Sequence, residues 1–288
     1  MKKAFEKLNL RDYGVLLGFL ALCIAISIAT PSFLGKQNIL NLLRQSSIIG
    51  IISAGMTFVI ISGNFDISVG AVAALAGAIT MKFATGGTNL FASMLLGVAI
   101  CAVIGLINGI VVAKINVPSL IATMAMVTIV RGLLLMLTGG YPITENIPIL
   151  DYIGNGYLFS IPIPVVIFFI VVLASFIVLN KTKFGRYVYS VGGNQEASKL
   201  NGINVDSHKV KVFIINAVLA GIAGIVLTGR LGTATAIAGE GYDMDAIASV
   251  VIGGTSVAGG SGSVLKTVIG VLLMSVINNS FNLLGIKD

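Results

Sequence analysis

The chain has 288 residues, of which 56% are hydrophobic and only 10% are charged. A soluble domain of that make-up could not solvate its own surface, whereas a bilayer tolerates the surface and forces the backbone into closed hydrogen-bonded elements. The formal charge of +7 does not point to nucleic acid, because the basic residues flank apolar runs instead of forming a patch.

Lys2, Lys3, Lys7 and Arg11 precede the first apolar run, 13–29, which Pro31 closes. The run exceeds the roughly 7 to 15 residues of a secretory signal core and more spans follow, so it is read as a retained membrane helix. Further runs follow at 46–62, 68–84, 90–113, 119–137 and 161–179. Each is about the 17 to 25 residues that cross a hydrocarbon core. A second basic stretch, with Lys181, Lys183, Arg186, Lys199, Lys209 and Lys211, separates these from 212–231, a shorter Gly-rich run at 246–258, and 264–281. The positive-inside rule places both basic segments, and the N-terminus, in the cytoplasm, and the six runs between them have the right parity. The expected architecture is an all-α polytopic membrane protein of about nine transmembrane helices. It forms one domain, 1–288, with a cytoplasmic loop at 180–211. Cys23 and Cys101 lie inside spans and read as small buried hydrophobes.

The halves echo one another weakly. Residues 103–108 (Val-Ile-Gly-Leu-Ile-Asn) resemble 273–278 (Leu-Met-Ser-Val-Ile-Asn), and 63–70 faintly resemble 253–260. Duplicated halves are common in transporters. After Asn108 a further span follows, whereas after Asn278 the chain stops at Asp288, so the repeat calls for a tenth helix.

Three features carry candidate chemistry. The first is the polar break between the second and third runs, with Asn64, Asp66 and Ser68. It is too short for a conventional loop, and irregular backbone at membrane depth is tolerated only against protein or a water-filled cavity. Asp66 and Ser68 therefore either cap the third helix or line a passage, and both can hold together. The second is Arg131, about 18 Å along the span that begins at Ser119. An intramembrane arginine marks a functional site or snorkels to an interface, and Glu145 and Glu240 are possible partners. The third is a short amphipathic helix in the 180–211 loop, with Asn194 as N-cap, Ala197 and Leu200 on one face and Gly202 as its stop. The single histidine, His208, has no ligand cluster around it in sequence, which argues against a metal site.

The pattern Glu196-Ala197-Ser198, three residues, Gly202-Ile203 resembles the loop by which ATP-binding-cassette importer permeases engage their ATPase subunits. Residues 55–70, Phe184-Gly185-Arg186 with Gly192-Gly193-Asn194, 239–248 followed by Gly253-Gly254-Thr255-Ser256, 38–45 and Asn282-Leu283-Leu284-Gly285 are similar to the ribose-type monosaccharide permeases of that superfamily. The chain departs from them at Asn64-Phe65, where relatives have Gly-Ile, at Ser198 in place of alanine, and in the missing last helix of ten. The resemblance implies a permease domain, homodimeric in the bilayer, with ATPase subunits docked at Asn194, Glu196, Ala197, Ser198, Leu200 and Gly202. An extracytoplasmic binding protein would deliver one sugar, ribose above all, across the inner membrane. No Gly-x-x-x-x-Gly-Lys-Ser/Thr loop is present, since Leu265 precedes Lys266-Thr267, so the chain is a transport subunit with no cofactor and no ATPase site of its own. ATP would be used by the partner, and the alternative is an ion-coupled sugar carrier.

Overall fold

A computed structural model describes residues 10–285, with side chains from Gly14 onward. Lys2, Lys3, Lys7, Asp288 and the side chain of Arg11 lie outside the described residues. Helix α1 (Leu10–Ala29) is followed by a 3-10 turn at Pro31–Leu34 and by α2 (Lys36–Ile61), which starts well before the apolar run at 46–62. The polar first turns of α2 are held from outside the helix, since Asn38 Nδ2 donates to Phe33 O at 2.8 Å and to Asn279 Oδ1 at 3.0 Å. Then come α3 (Val69–Thr85), α4 (Leu90–Ala113), whose N-cap Asn89 accepts from the amides of Phe91 and Ala92, and α5 (Ser119–Thr138), stopped by Gly139 at φ +66°. Strand β1 (Ile143–Thr144), α6 (Pro148–Asn155) and the hairpin of β2 (Tyr157–Leu158) and β3 (Ile161–Pro162) lead to α7 (Ile163–Lys181).

The loop expected at 180–211 is mostly helical. It contains α8 (Lys183–Gly193) and α9 (Gln195–Leu200), and α10 (Val205–Leu231) begins within it, its N-cap Asn204 accepting from the Ser207 amide. After α10 come β4 (Thr233–Ala234), antiparallel to β1, then α11 (Tyr242–Ile252) and α12 (Val264–Leu284).

Six described helices are long and apolar enough to cross a membrane, and residues 14–29 and α3 form shorter apolar helices. The protein is thus an all-α, multi-pass membrane protein. The crossing expected at 246–258 differs from the observed element: α11 is only 11 residues long, and residues 253–263 are turns. Apolarity carried the expected span past Gly253, but Gly254 adopts φ +90° and Gly259 and Gly260 adopt φ +84° and +73°, a left-handed geometry that ends helices.

Helix α2 is the axis of the bundle, with 94% of its apolar window buried in protein, against 28% for α4, 22% for α5 and 28% for α7, which lie at its outside. Lipid tails are as apolar as leucine, so close backbone packing rather than the hydrophobic effect joins such helices. On α4 the small residues Gly97, Cys101, Gly105 and Gly109 recur every fourth position, which lays them on one face. A Cβ at Gly105 would lie 2.6 Å from Phe213 O, and one at Gly109 would lie 2.7 Å from Val210 Cα, so α4 and α10 touch backbone to backbone. The echoing asparagines of the two halves do equivalent work. Asn108 Nδ2 of α4 donates to Ser68 Oγ just ahead of α3 (3.0 Å), and Asn278 Nδ2 of α12 donates to Asp245 Oδ2 in the first turn of α11 (3.2 Å).

Candidate functional site

The break between α2 and α3 is a buried polar network. Gly63 turns the chain at φ +79°, and the Asn64 side chain donates to Ser62 O and Ser62 Oγ, both at 3.1 Å. Asp66 Oδ1 accepts from the Ser68 amide at 2.9 Å and from Ser68 Oγ at 2.6 Å, while Oδ2 accepts from Asn216 Nδ2 of α10 at 3.0 Å. Ser68 Oγ in turn accepts from Asn108. Asp66 therefore satisfies one amide at the start of α3, whereas Ser68 makes no cap bond of its own and links Asp66 to α4. The network ties α3, α4 and α10 together where a lone carboxylate would be costly.

The outward backbone of the same break is held by α5. The Phe65 amide donates to Ser119 Oγ at 3.1 Å and the Ile67 amide to Thr123 Oγ1 at 3.2 Å. Ser119, Thr123, Val127 and Arg131 recur every fourth residue, which places all four on one face of α5. Arg131 meets neither Glu145 nor Glu240 in an ion pair among the described contacts. Its Nη1 donates to the carbonyl of Ala236 and, at 2.9 Å, to that of Ala238, which pins the segment between β4 and α11. That segment also packs on the start of α3: a Cβ at Gly239, which has φ +66°, would lie 2.8 Å from Gly70 O.

Between these elements opens a cavity of about 520 Å³. Ile67, Gly70 and Ala71 form one wall, Val127 and Arg131 a second, and Ile237, Gly239, Glu240, Gly241, Asp243 and Met244 a third. Of the candidate residues Asn64, Asp66, Ser68 and Arg131, Arg131 alone lines this cavity. Asn64, Asp66 and Ser68 are buried behind it, and Ile67 between them reaches the wall. Glu240, which the sequence offered as a possible partner of Arg131, shares the cavity with it, and Asp243, which the sequence did not nominate, joins them. The signal was there, in a Gly-Glu-Gly turn opening an acidic first helical turn, but nothing local shows that it folds back onto α5.

At the end of the bundle carrying α8 and α9, Asn194 Oδ1 accepts from the Ala197 amide at 2.9 Å, and Gly202, at φ +76°, donates its amide to Lys199 O. Ser198 is buried and shares a hydrogen bond with Ser190 at 2.9 Å. Glu196 and Ala197 are exposed, and Leu200 is 90% exposed. The apolar face of α9 therefore points away from its own bundle. Leu200 is flanked by the exposed Lys199 and Asn201.

A family model described as the permease component of the branched-chain amino acid transport system matches residues 38–287. The ribose import permease protein RbsC of Haemophilus influenzae is 43% identical, over 94% of this chain and 86% of its own. RbsC of Escherichia coli K12 is 39% identical over 100% and 91% of the two chains, and RbsC of Bacillus subtilis 168 is 43% identical over 97% and 87%. No solved structure matches the chain.

Proposed function

Because the chain belongs to the family of branched-chain amino acid transport system permease components, we propose that it is the membrane subunit of an ATP-driven importer whose cargo is ribose. In this reading the chain sits in the cell's inner membrane with its N-terminus and α8–α9 in the cytoplasm. It pairs with a second copy, takes sugar from an extracytoplasmic binding protein, and draws energy from an ATPase subunit that alone handles ATP. The observation that carries the docking role is Leu200, exposed beside Ala197 on a helix whose other side is fixed by Ser198.

Leu200→Glu places a charge at that contact and is expected to weaken copurification of the ATPase subunit at least about tenfold while leaving membrane insertion intact. Gly202→Asp should do the same and abolish stimulated ATP hydrolysis, because it adds a charge and a side chain at φ +76°. Full stimulated hydrolysis in both variants would remove α9 from the interface.

The cavity between α3, α5 and α11 is the proposed sugar path, with Arg131, Glu240 and Asp243 as its polar wall and Asn64, Asp66 and Ser68 as supports. Arg131 would act by holding the 233–241 segment open at a fixed width. Hydrogen bonds from a charged group contribute about 1.5 to 3 kcal/mol each, so Arg131→Met is expected to lower ribose uptake at least about tenfold with the ATPase still bound, and Arg131→Lys to fall between. Uptake at the parent rate in Arg131→Met would rule out this path. An ion-coupled carrier would need an acid within the bundle free to bind its ion, and both oxygens of Asp66 are occupied by donors from Ser68 and Asn216.

A further inference from the structure

Three segments far apart in sequence meet at the α8 end of the bundle: the end of α2 with the break after it, the end of α8, and the turn that leads into α12. The Gly260 amide donates to Ile61 O at 2.9 Å. A Cβ on Gly192 would fall onto that same carbonyl and 2.8 Å from Gly260 N. On Gly259 it would lie 2.8 Å from Gly192 O and 3.0 Å from Gly63 Cα, and on Gly260, 2.7 Å from Gly193 Cα. No side chain stands between these backbones, so a shift of α8 cannot be absorbed by rotamer changes and must move Ile61 and Gly63 with it.

One side chain locks the arrangement. Tyr189 Oη of α8 donates to Gly262 O at 3.0 Å. Burial pushes the phenol above its ordinary value, which keeps it protonated and donating. On one side α8 is tied to α9 through Ser190 and Ser198. On the other, the break continues through Phe65 and Ile67, whose amides are held by Ser119 and Thr123, to the cavity wall and the α5 face that carries Arg131.

We propose that Tyr189 is a positioning residue that couples the α8–α9 pair to the sugar path, acting through the Gly192–Gly260–Ile61 junction. This rests on reading α9 as the ATPase dock. The hydroxyl keeps α8 seated on the turn before α12, so that displacement of α9 reaches Ile67 instead of being lost as slippage of α8.

The test uses the full chain reconstituted in proteoliposomes with its ATPase subunit and ribose-loaded binding protein, measuring retained ATPase, ATP hydrolysed and ribose imported. Tyr189→Phe keeps the ring and removes only the donor. It is expected to retain the ATPase fully and to import about fivefold less ribose per ATP, the loss that one net hydrogen bond allows. Gly192→Ala, which wedges α8 away from Ile61, should lower the same ratio further. A Tyr189→Phe protein with the parent ratio of ribose to ATP overturns the coupling role while leaving the dock intact. A parent chain that retains no ATPase overturns the dock and the coupling role together.

Discussion

Gly224→Leu is expected to destabilise the bundle in detergent by more than about 4 kcal/mol, the range reached only when a buried contact has no way to relax. A Cβ at Gly224 would land on the backbone of Ala73, with the Ala73 Cα at 2.8 Å, and neither helix backbone can rotate aside. Helices α3 and α10 must part, and the neighbouring contact, where a Cβ at Gly77 would lie 3.1 Å from Gly224 O, parts with them. Lipid then fills the gap at little cost, since the association depended on close packing. Cys101 reports the opening, because it is buried and its Sγ lies 3.1 Å from where a Gly221 Cβ would be. In a Cys23→Ser background, Gly224→Leu should make Cys101 react with a thiol fluorophore at a much lower temperature than the parent. Gly18→Ala, on α1 with nothing within 4 Å, should leave the transition within about 0.5 kcal/mol. Unchanged Cys101 reactivity in the leucine variant would show that α3 and α10 do not depend on this approach.

Asp66→Leu is expected to abolish ribose uptake and lower stability by several kcal/mol. It strips the acceptor from the Ser68 amide, Ser68 Oγ and Asn216 Nδ2 together, and each buried donor left unpaired costs about 1 to 3 kcal/mol. Asp66→Asn should behave very differently. Its remaining oxygen can serve Ser68, while its amide faces Asn216, whose Oδ1 has no hydrogen-bond partner among the described residues and becomes an acceptor when that side chain turns over. Uptake within about threefold of the parent is expected, the effect of less than one hydrogen bond, and insensitive to a protonophore at constant ATP. If Asp66→Asn is inactive and parent uptake follows a proton gradient, Asp66 carries a proton and the importer reading is wrong.

The membrane class and most of the helices were legible because they depend on neighbours in sequence. Runs of apolar residues at 90–113 and 119–137 match α4 and α5 to within a residue, since in lipid a long apolar segment has no alternative to internal hydrogen bonding. Local chemistry also placed the start and stop of α9, where Asn194 offers an acceptor to the third residue on and Gly202 takes a left-handed turn that other residues resist. The every-fourth spacing of Gly97, Cys101, Gly105 and Gly109 lies in the sequence as well, but that this face meets α10 emerges only from the fold.

What the tertiary structure decided are the partners. Asp66 and Asn216 are 150 residues apart, and only the register of α3 against α10 brings them together. Arg131 takes backbone carbonyls of the 233–241 segment rather than a carboxylate, because that segment dips back against α5. Apolarity at 246–258 says only that the residues avoid water. Gly259 and Gly260 instead form a turn against Gly192, Gly193 and Gly63, with the Gly260 amide on Ile61 O, since backbones meeting that closely leave no room for a side chain. Hydropathy fixes which residues leave water. Which buried polar group meets which is set by the rotation and depth of packed helices, and no local pattern encodes those.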